Sequence, residues 1–341
     1  MSVTRKKSPS EPVLVYDTLP KQVVPIAIDP RSYPENRRTN LLVPIYGRAT
    51  GSALRIPLVV ARGKHDGPVV GITAAVHGNE LNGIKIIHRF LEWINLEELR
   101  GSLLCAPVVN VPGFDMGTRF FTDGVDLNNT FPGLEDGTPS EQYARSFCST
   151  FLPKIEYLID IHTASAGRLN SLYVRVDLDH EVSKTLALLL DPEIILHSPT
   201  SSGTLRSVAL NQGVPAVTLE AGNPSVIQGS MVYAGEIGLR NILAHLNMLD
   251  CDVQHSRKPL VCESSKWLRT TGGGILDTDI KLLEHVEENQ IVAKTFDSFG
   301  NLLQEYTAPY GGVVIGRAAY PVSIPGTRYC HLGKLATERD I

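Results

Sequence analysis

The fold is decided by the stretch Pro68-Val-Val-Gly-Ile-Thr-Ala-Ala-Val76, a near-continuous apolar run with no polar alternation. Such a run is typical of a strand that is buried on both faces. A helical pattern of apolar residues follows at once and consists of Ile84, Ile87, Phe90 and Leu91. A buried strand that leads directly into a helix is the repeating unit of an α/β sheet.

The same alternation recurs through the middle of the chain. Further strands are predicted at Leu103–Val109, Tyr157–Ile161, Glu193–Leu196 and Ala216–Leu219. Further helices are predicted near Gln142–Leu152, His180–Leu190, Thr204–Asn211 and Gly235–Met248. Because strands alternate with helices, the predicted fold class is α/β, with a mostly parallel, mixed sheet that is flanked by helices on both faces.

The two ends of the chain differ from this middle part. Residues 1–12 are polar and predict a flexible tail, and short β-type runs follow over 13–63. After about residue 255, Gly- and Pro-rich turns separate short β runs, and no long helical pattern remains. We therefore predict a main α/β domain at 13–255, which includes the N-terminal β segment, and a small all-β domain at 256–341.

Composition restricts the class of protein and its partners. In 341 residues, 32 Lys and Arg stand against 36 Asp and Glu, and the net charge of -4 gives no electrostatic footprint for nucleic acid or an anionic membrane. The five cysteines are scattered without a C-x-x-C pair, which fits a reducing compartment. We see neither a secretory leader nor an apolar run of ~18 residues. These features predict a cytoplasmic protein with no nucleic-acid or membrane partner, and they leave open whether it forms a homo-oligomer.

Polar side chains follow four of the predicted buried strands, at the point where each strand ends. They are His77, Asn110, His162 and Glu220. In open α/β sheets, ligands bind at the carboxyl ends of the strands. A single histidine at a strand end is more often solvated or hydrogen-bonded than functional, but four such side chains at one sheet edge favour a functional site.

The motif His77-Gly-Asn-Glu80 places a carboxylate three residues after an imidazole, and Gly78 permits a sharp turn before the helix. With His162 from another strand end, the set contains two imidazoles and one carboxylate. Three such ligands with an open fourth position are the arrangement of a catalytic zinc site. The alternative is that Glu80 only complements a helix N-terminus; the separate strand end Asp160-Ile-His162 argues against it.

Three further charged residues are candidates for catalysis and substrate binding. Glu220 leaves a buried strand and enters a glycine turn, where a carboxylate could act as general acid/base; the alternative is a capping or ion-paired glutamate. Arg119 lies in a long loop and could stabilise an oxyanion. Arg206 begins a helical stretch and could hold a carboxylate in bidentate fashion. For either arginine taken alone, a surface ion pair is the more common role.

In their order along the chain, these residues resemble the succinylglutamate desuccinylase and aspartoacylase family, which is related to the zinc carboxypeptidases. The similarity runs from about Val69 to Gly222 and weakens in the C-terminal β unit. The landmarks are His77-Gly-Asn-Glu80, Asn110 with Pro112, Thr118-Arg119, Asp126-Leu-Asn-Asn129, Phe131-Pro-Gly133, Asp160-Ile-His162, Thr204-Leu-Arg206 and Glu220. Each is a modest motif by itself, whereas their common order and spacing are specific.

The resemblance implies a zinc carboxypeptidase-like fold and one zinc ion per chain, bound by His77, Glu80 and His162. It also implies that Glu220 is the general base and that Arg119 polarises the scissile carbonyl. The C-terminal β unit resembles the barrel-like domains of bacterial family members, and we expect it to wall the substrate pocket.

The resemblance further implies which residues bind the substrate. Arg206 matches an arginine that helps bind the substrate carboxylate in aspartoacylases, Asn128 matches an asparagine of the substrate pocket, and Asn110 is a further candidate. One position departs from the family pattern D-L-N-R, because Asn129 stands where an arginine grips a carboxylate. A neutral side chain there loses a charge-assisted bond of about 1.5–3 kcal/mol. We therefore expect a neutral or differently placed acyl-amino compound rather than N-acetylaspartate or N-succinylglutamate.

The leading hypothesis is a zinc-dependent amidohydrolase, a deacylase that hydrolyses the linear amide bond of an N-acyl amino acid or a related small amide. A carboxypeptidase-like metallopeptidase that acts on small peptides is the alternative within the same chemistry, and Asn129 disfavours it. A catalytically silent binding protein with the same fold is the alternative of another class. The complete set of His77, Glu80, His162 and Glu220 disfavours that alternative.

Overall fold

A computed structural model describes residues 26–200 and 203–337 of the chain. The predicted tail at 1–12 and the first part of the N-terminal β segment, at 13–25, lie outside these ranges. The α-helices are α1 (Asn82–Trp93), α2 (Val111–Asp115), α3 (Pro139–Phe151), α4 (Glu181–Leu189), α5 (Leu205–Asn211) and α6 (Gly229–His245). Short 3₁₀ helices lie at Pro30–Ser32, Leu127–Asn129 and Leu152–Lys154.

The strands form two sheets. They are β1 (Arg37–Gly47), β2 (Ala53–Arg62), β3 (His65–Ala74), β4 (Arg100–Ala106), β5 (Tyr157–His162), β6 (Arg168–Asn170), β7 (Leu172–Val176), β8 (Ile194–His197), β9 (Ala216–Ala221), β10 (Leu260–Arg269), β11 (Gly274–Asp277), β12 (His285–Val286), β13 (Ile291–Phe296), β14 (Leu302–Thr307), β15 (Gly312–Ala318), β16 (Val322–Ser323) and β17 (Arg328–Leu335). The large sheet has the order β1-β2-β4-β3-β5-β9-β7-β8-β10-β17-β15-β12, with β6 paired to β15. The small sheet has the order β14-β13-β11-β16.

The large sheet is mixed: its four central strands are parallel, β7, β8 and β10 form a second parallel group, and the remaining pairs are antiparallel. Strands β4, β3, β5 and β9 run parallel to one another, whereas β1 and β2 add an antiparallel margin and β7 is antiparallel to β9. This confirms the predicted α/β fold with a mixed sheet. Because the four central strands point the same way, their carboxyl ends meet at one edge.

Helices cover both faces of the central strands. On one face Phe90 of α1, Leu186 of α4 and Ile242 of α6 are buried in one apolar cluster. On the other face Tyr143 and Phe147 of α3 pack into a second cluster together with residues of β1 and β2. Burial of each such side chain stabilises the fold by about 1.5–3 kcal/mol. The double coverage explains the unbroken apolar run of β3 and makes the sheet a rigid support for its strand ends.

The C-terminal β unit is joined to the main sheet by hydrogen-bonded strands. Strand β10 pairs in parallel with β8, and β17, β15 and β12 continue the large sheet from there. In addition, β6 pairs with β15, with Arg168 opposite Ala318. The segment after β5 is therefore fastened to the C-terminal unit. The sequence patterns did not predict β6, because three residues carry no periodicity and the partner strand is far away in the chain.

No helix within the described ranges is long and apolar enough to cross a bilayer.

Candidate active site

The predicted strand ends come from neighbouring strands. Strands β3, β5 and β9 are adjacent, and His162 at the end of β5 is the register partner of Glu220 on β9. Ala75, directly after β3, has a left-handed φ of 48°. Such backbone strain costs about 1–3 kcal/mol and is typical of functional sites. It marks the sharp turn that ends β3 just before His77.

The turn after β3 packs closely on the start of α2. A Cβ added to Gly78 would lie 2.0 Å from the carbonyl carbon of Gly113, so only glycine fits there. The side chain of Asn110 caps α2, since its Oδ1 accepts a hydrogen bond from Gly113 N at 2.9 Å. Its Nδ2 donates to the backbone oxygen of Arg119 at 3.4 Å. The buried Asn110 therefore supports the loop of Arg119 and does not line the pocket.

His77, Glu80 and His162 converge as predicted, and all three are buried. The Nδ1 atom of His77 lies 2.8 Å from Glu80 Oε1, and the Nδ1 atom of His162 lies 3.0 Å from Glu80 Oε2. The two Nδ1 atoms are 3.1 Å apart. Two imidazole nitrogens and a carboxylate that face one point are a donor set that zinc prefers.

In each imidazole, the nitrogen that faces away from Glu80 contacts the carboxylate of an aspartate. His77 Nε2 lies 3.0 Å from Asp126 Oδ1, and His162 Nε2 lies 2.9 Å from Asp160 Oδ2. Asp160 is itself held by Thr73, whose hydroxyl donates to Oδ1 at 2.7 Å. Carboxylates in this position fix the ring orientation of metal-binding histidines. From the sequence, Asp126 and Asp160 are only landmarks of the family resemblance. Their role behind the histidines could not be predicted, because it depends on which ring nitrogen each carboxylate contacts.

Interactions between the histidines, Arg119 and the carboxylates of this cluster favour the ionised form of the carboxylates. Burial alone would raise the pKa of Glu80, but His77 and His162 lower it well below its usual range. Burial likewise opposes the ionised form of Asp126, and His77 and Arg119 lower its pKa. For His162 burial favours the neutral ring, yet Asp160 and Glu80 raise its pKa well above the usual value. A cation is thus favoured between these groups, and a bound metal would take the place of the proton.

Arg119 reaches the cluster from the loop after α2. Its Nε and one terminal nitrogen donate to Asp126 Oδ2 at 3.0 and 2.8 Å. The other terminal nitrogen donates to Glu80 Oε1 at 3.0 Å and to Ser165 Oγ at 2.8 Å. Asp126 therefore orients both His77 and Arg119, and it leaves one edge of the guanidinium directed toward Glu80 and the pocket.

Glu220 lies in the same pocket with both carboxylate oxygens engaged. Arg175 Nε donates to Oε1 at 3.3 Å, and Asn170 Nδ2 donates to Oε2 at 3.3 Å. Arg175 also donates to the Tyr173 hydroxyl at 2.7 Å. The side chain of Glu220 keeps 12% exposure, so a substrate or a water molecule can reach it.

Arg206 and Asn128 also line the pocket. Arg206 is buried and donates to the backbone oxygen and the hydroxyl of Ser198 at 3.0 and 3.2 Å. Burial, together with Arg175, lowers the pKa of Arg206 to about 10. Asn128 Oδ1 accepts a hydrogen bond from Leu205 N at 3.1 Å, which ties its loop to the start of α5.

Asn129 is not brought into the pocket. It is exposed at the end of a 3₁₀ helix and is absent from the residues that line the cavity. Its backbone packs against Gly203, where an added Cβ would lie 2.6 Å from the Asn129 oxygen. The expectation of a neutral substrate assumed that this position faces the substrate. The structure does not support that assumption.

The cavity of about 250 Å³ is rich in arginine. Its cations are Arg119, Arg168, Arg175, Arg206 and Arg328, and its carboxylates are Glu80 and Glu220. Within the described ranges, Arg168, Arg206 and Arg328 form no ion pair, whereas Arg119 and Arg175 each have a carboxylate partner. The pocket therefore attracts anions.

The sequence did not reveal Arg168, Arg175, Arg328 or Trp267, which line the same pocket. They lie on β6, β7, β17 and β10, and no motif links these strands. Trp267 and Arg328 come from the C-terminal unit, so this unit does wall the pocket. Each of these strands contains a single arginine, which does not reveal which side chains meet.

Comparisons with known proteins agree with this geometry. The sequence model described as succinylglutamate desuccinylase/aspartoacylase catalytic domain matches residues 66–246, which is more than half of the chain. A relative is the N-alpha-acetyl-L-2,4-diaminobutyric acid deacetylase of Halomonas elongata, 24% identical over 288 residues. That match covers 80% of this chain and 83% of the deacetylase.

Solved structures share the fold. The product-bound structure of the ectoine utilization protein EutE (DoeB) from Ruegeria pomeroyi superposes with a TM-score of 0.80 at 24% identity, covering 89% of this chain and 98% of that chain. A succinylglutamate desuccinylase/aspartoacylase from Rhodobacter sphaeroides has a TM-score of 0.79 at 20% identity, with coverage of 89% and 98%. At these identities the likeness concerns the fold alone.

Proposed function

The chain belongs to the succinylglutamate desuccinylase/aspartoacylase family, and from that premise we propose that it is a zinc-dependent amidohydrolase that removes the acyl group from an N-acyl amino acid. The observation that carries the proposal is the buried set of His77, Glu80 and His162 at the floor of a pocket that also contains Glu220. We propose one zinc ion per chain at this set. A zinc ion with three protein ligands supplies Lewis acidity, polarising a carbonyl and making water nucleophilic near neutral pH.

Glu220 is the proposed general base and acid. Its carboxylate can accept the proton of the attacking water and return it to the leaving nitrogen, as general acid/base groups do. Arg175 and Asn170 each hold one of its oxygens at 3.3 Å. These contacts orient the carboxylate, and its remaining exposure leaves the proton-accepting lone pairs accessible.

Arg119 is the proposed electrostatic partner of the developing oxyanion. Its two hydrogen bonds to Oδ2 of Asp126 hold the guanidinium in place before the substrate arrives. Donors that are oriented in advance toward developing charge stabilise a transition state without reorganisation. The nitrogen that now donates to Glu80 and Ser165 lies at the edge of the pocket and is the one available for this role.

Arg206 is the proposed partner of the carboxylate of the amino-acid half. Its guanidinium is buried, lies in the pocket and has no carboxylate partner among the described residues. A substrate carboxylate would provide the missing negative partner of Arg206. The position of Asn129 outside the pocket removes the reason for expecting a neutral substrate, so we favour an anionic one.

The two alternatives are less consistent with the site. A cavity of about 250 Å³, walled by Trp267 and Arg328, suits a small acylated amino acid better than a peptide. A silent binding protein has no need for oriented partners on both metal-facing histidines and on Glu220.

The proposal is tested on protein purified without chelator. We expect about one equivalent of zinc by elemental analysis and hydrolysis in a panel of N-acyl amino acids with short acyl chains. Activity is measured as release of the free amino acid. Dialysis against a chelator should abolish this activity, and addition of zinc should restore it. A protein that holds zinc and hydrolyses short peptides instead would support the peptidase, and one without either property would support the binding protein.

A further inference from the structure

A second group of cations lies apart from the metal-binding residues. Arg168 and Arg328 line the catalytic cavity and also a neighbouring cavity of about 370 Å³, so they form the wall between the two. The neighbouring cavity is lined by a third arginine, Arg269, and by Tyr320. The guanidinium of Arg269 already has a hydrogen-bond partner, because it donates to the Gly326 oxygen at 2.9 Å.

Trp267 holds the two arginines near each other. The guanidinium carbon of Arg168 lies 5.2 Å from the centre of the Trp267 ring, and that of Arg328 lies 5.8 Å from it. The ring itself is stacked on His331 at 4.7 Å with an interplanar angle of 9°. His331 is buried and donates to or accepts from Ser265 Oγ at 2.8 Å. Trp267 is thus a fixed platform for two cations.

Among the described residues, these two cations have no carboxylate in ion-pair contact. Within the described ranges, neither Arg168 nor Arg328 forms an ion pair, and the carboxylates of the cavity, Glu80 and Glu220, are engaged by other groups. Burial, followed by repulsion from Arg328 and Arg119, lowers the pKa of Arg168 to about 10. Arg168 is half-buried and Arg328 is exposed, and two guanidinium groups beside each other repel unless an anion lies between them. An anionic ligand group would relieve this repulsion.

Arg168 and Arg328 each lie on a strand whose backbone is hydrogen-bonded to a neighbouring strand. Arg168 begins β6, which pairs with β15 of the C-terminal unit, and Arg328 begins β17, where it is the register partner of Arg269 on β10. Both arginines therefore extend from hydrogen-bonded strands rather than from a free loop. A pair of planar guanidinium groups that extends from fixed backbone positions suits the two oxygens of a carboxylate.

We propose that Arg168 and Arg328 bind a second carboxylate of the substrate, at the wall between the catalytic cavity and its neighbour. The inference rests on the proposed deacylase function and adds a specificity determinant contributed by β6 and the C-terminal unit. Substrates would then carry one carboxylate for Arg206 and another that reaches the Trp267 platform.

The test compares three substrates of similar size with the zinc-loaded protein. N-acetylglutamate carries the second carboxylate in the amine half, N-succinylglutamine carries it in the acyl half, and N-acetylglutamine lacks it. We expect kcat/KM for one of the two dicarboxylates to exceed that for N-acetylglutamine by about 10- to 100-fold, as one or two charge-assisted bonds allow. Arg168→Gln and Arg328→Gln should each remove most of this preference, mainly through KM, with Arg168→Lys retaining part of it.

The matched control is Arg317→Gln in the same C-terminal unit. Arg317 donates to Thr278 and to the Ala318 oxygen, and it does not line the catalytic cavity. We expect this variant to keep the wild-type preference. A preference that survives both Arg168→Gln and Arg328→Gln, or a wild type that favours N-acetylglutamine, overturns the inference while the deacylase function stands.

A binding measurement separates this inference from the proposed function. Calorimetry on zinc-loaded Glu220→Gln protein compares N-acetylglutamate, N-succinylglutamine and N-acetylglutamine without turnover. If a dicarboxylate binds more tightly in an Arg168- and Arg328-dependent manner, the anion site is supported whether or not the wild type hydrolyses any of the three compounds. The deacylase function itself is decided by the wider panel of N-acyl amino acids. Equal binding of all three compounds excludes the anion site.

Discussion

His77 Nε2 lies 3.0 Å from Asp126 Oδ1, while Nδ1 of the same ring faces Glu80 at 2.8 Å. One nitrogen is thereby directed to the proposed metal position and the other to the carboxylate of Asp126. Because Asp126 also accepts two hydrogen bonds from Arg119, a single side chain orients a proposed metal ligand and the proposed oxyanion partner. Metal affinity and carbonyl activation are therefore expected to depend on the same aspartate.

Asp126→Asn should weaken zinc binding without removing a ligand. Loss of a carboxylate behind a metal-binding histidine typically costs 10–100-fold in affinity or activity. We expect an effect of about this size in the zinc dissociation constant, measured by competition with a coloured chelator. The control is Asp115→Asn, since Asp115 is exposed and outside the pocket. An Asp126→Asn protein with wild-type zinc affinity would show that Asp126 does not support the metal site.

His77→Ala and His162→Ala should each abolish stoichiometric zinc binding. Each variant removes one of three protein ligands, which should weaken metal binding severely. Elemental analysis of protein prepared without chelator measures the change, with circular dichroism to confirm folding. His65→Ala is the control, because His65 is exposed on β3. Unchanged zinc content in either ligand variant would assign the metal to other residues.

Glu220→Gln should separate metal binding from turnover. The amide keeps the size of the side chain but cannot accept a proton, so turnover should fall by about 10²–10⁴-fold, the usual contribution of a general acid/base group. Zinc content should remain that of the wild type. The control is Glu181→Gln, because the side chain of Glu181 is 82% exposed and lies outside the pocket. Near-normal turnover in Glu220→Gln would place the general base elsewhere.

Arg206→Gln should raise KM for substrates with an α-carboxylate. Loss of a charge-assisted bond worth about 1.5–3 kcal/mol corresponds to about 10- to 100-fold in kcat/KM. The measurement compares N-acetylmethionine with its carboxamide, which has no carboxylate to lose. Because Arg206 is buried, Arg206→Lys is made in parallel to keep the charge and should recover part of the activity. An equal loss on both substrates would indicate a structural role only.

Asn129→Arg should leave substrate preference unchanged. Asn129 is exposed and outside the cavity, so an arginine there would extend into solvent. We expect the ratio of kcat/KM for N-acetylaspartate and N-acetylasparagine to match the wild-type ratio. A shift toward N-acetylaspartate would mean that position 129 reaches the substrate, and it would restore the sequence-based explanation of specificity.

The proposed metal-binding set was predictable from the sequence because two of its members share one turn and the third ends a buried parallel strand. His77 and Glu80 are three residues apart in one turn, and His162 ends a strand adjacent to β3. Apolar runs identify the buried strands, and parallel strands bring their carboxyl ends to one edge. Glu220 was found in the same way, since β9 is the next parallel strand.

The charge of the pocket was decided by the tertiary structure. Asn129 lies next to a pocket residue in the sequence, yet its own side chain is exposed, while Arg168, Arg175 and Arg328 reach the cavity from strands β6, β7 and β17. Which side chains share a pocket depends on strand pairings between distant segments, such as β6 with β15. Local patterns determine which strands form and what their ends carry, because burial and periodicity act over a few residues. Pairing between distant strands determines that the arginines of β6, β7 and β17 join Arg119 and Arg206 in the pocket.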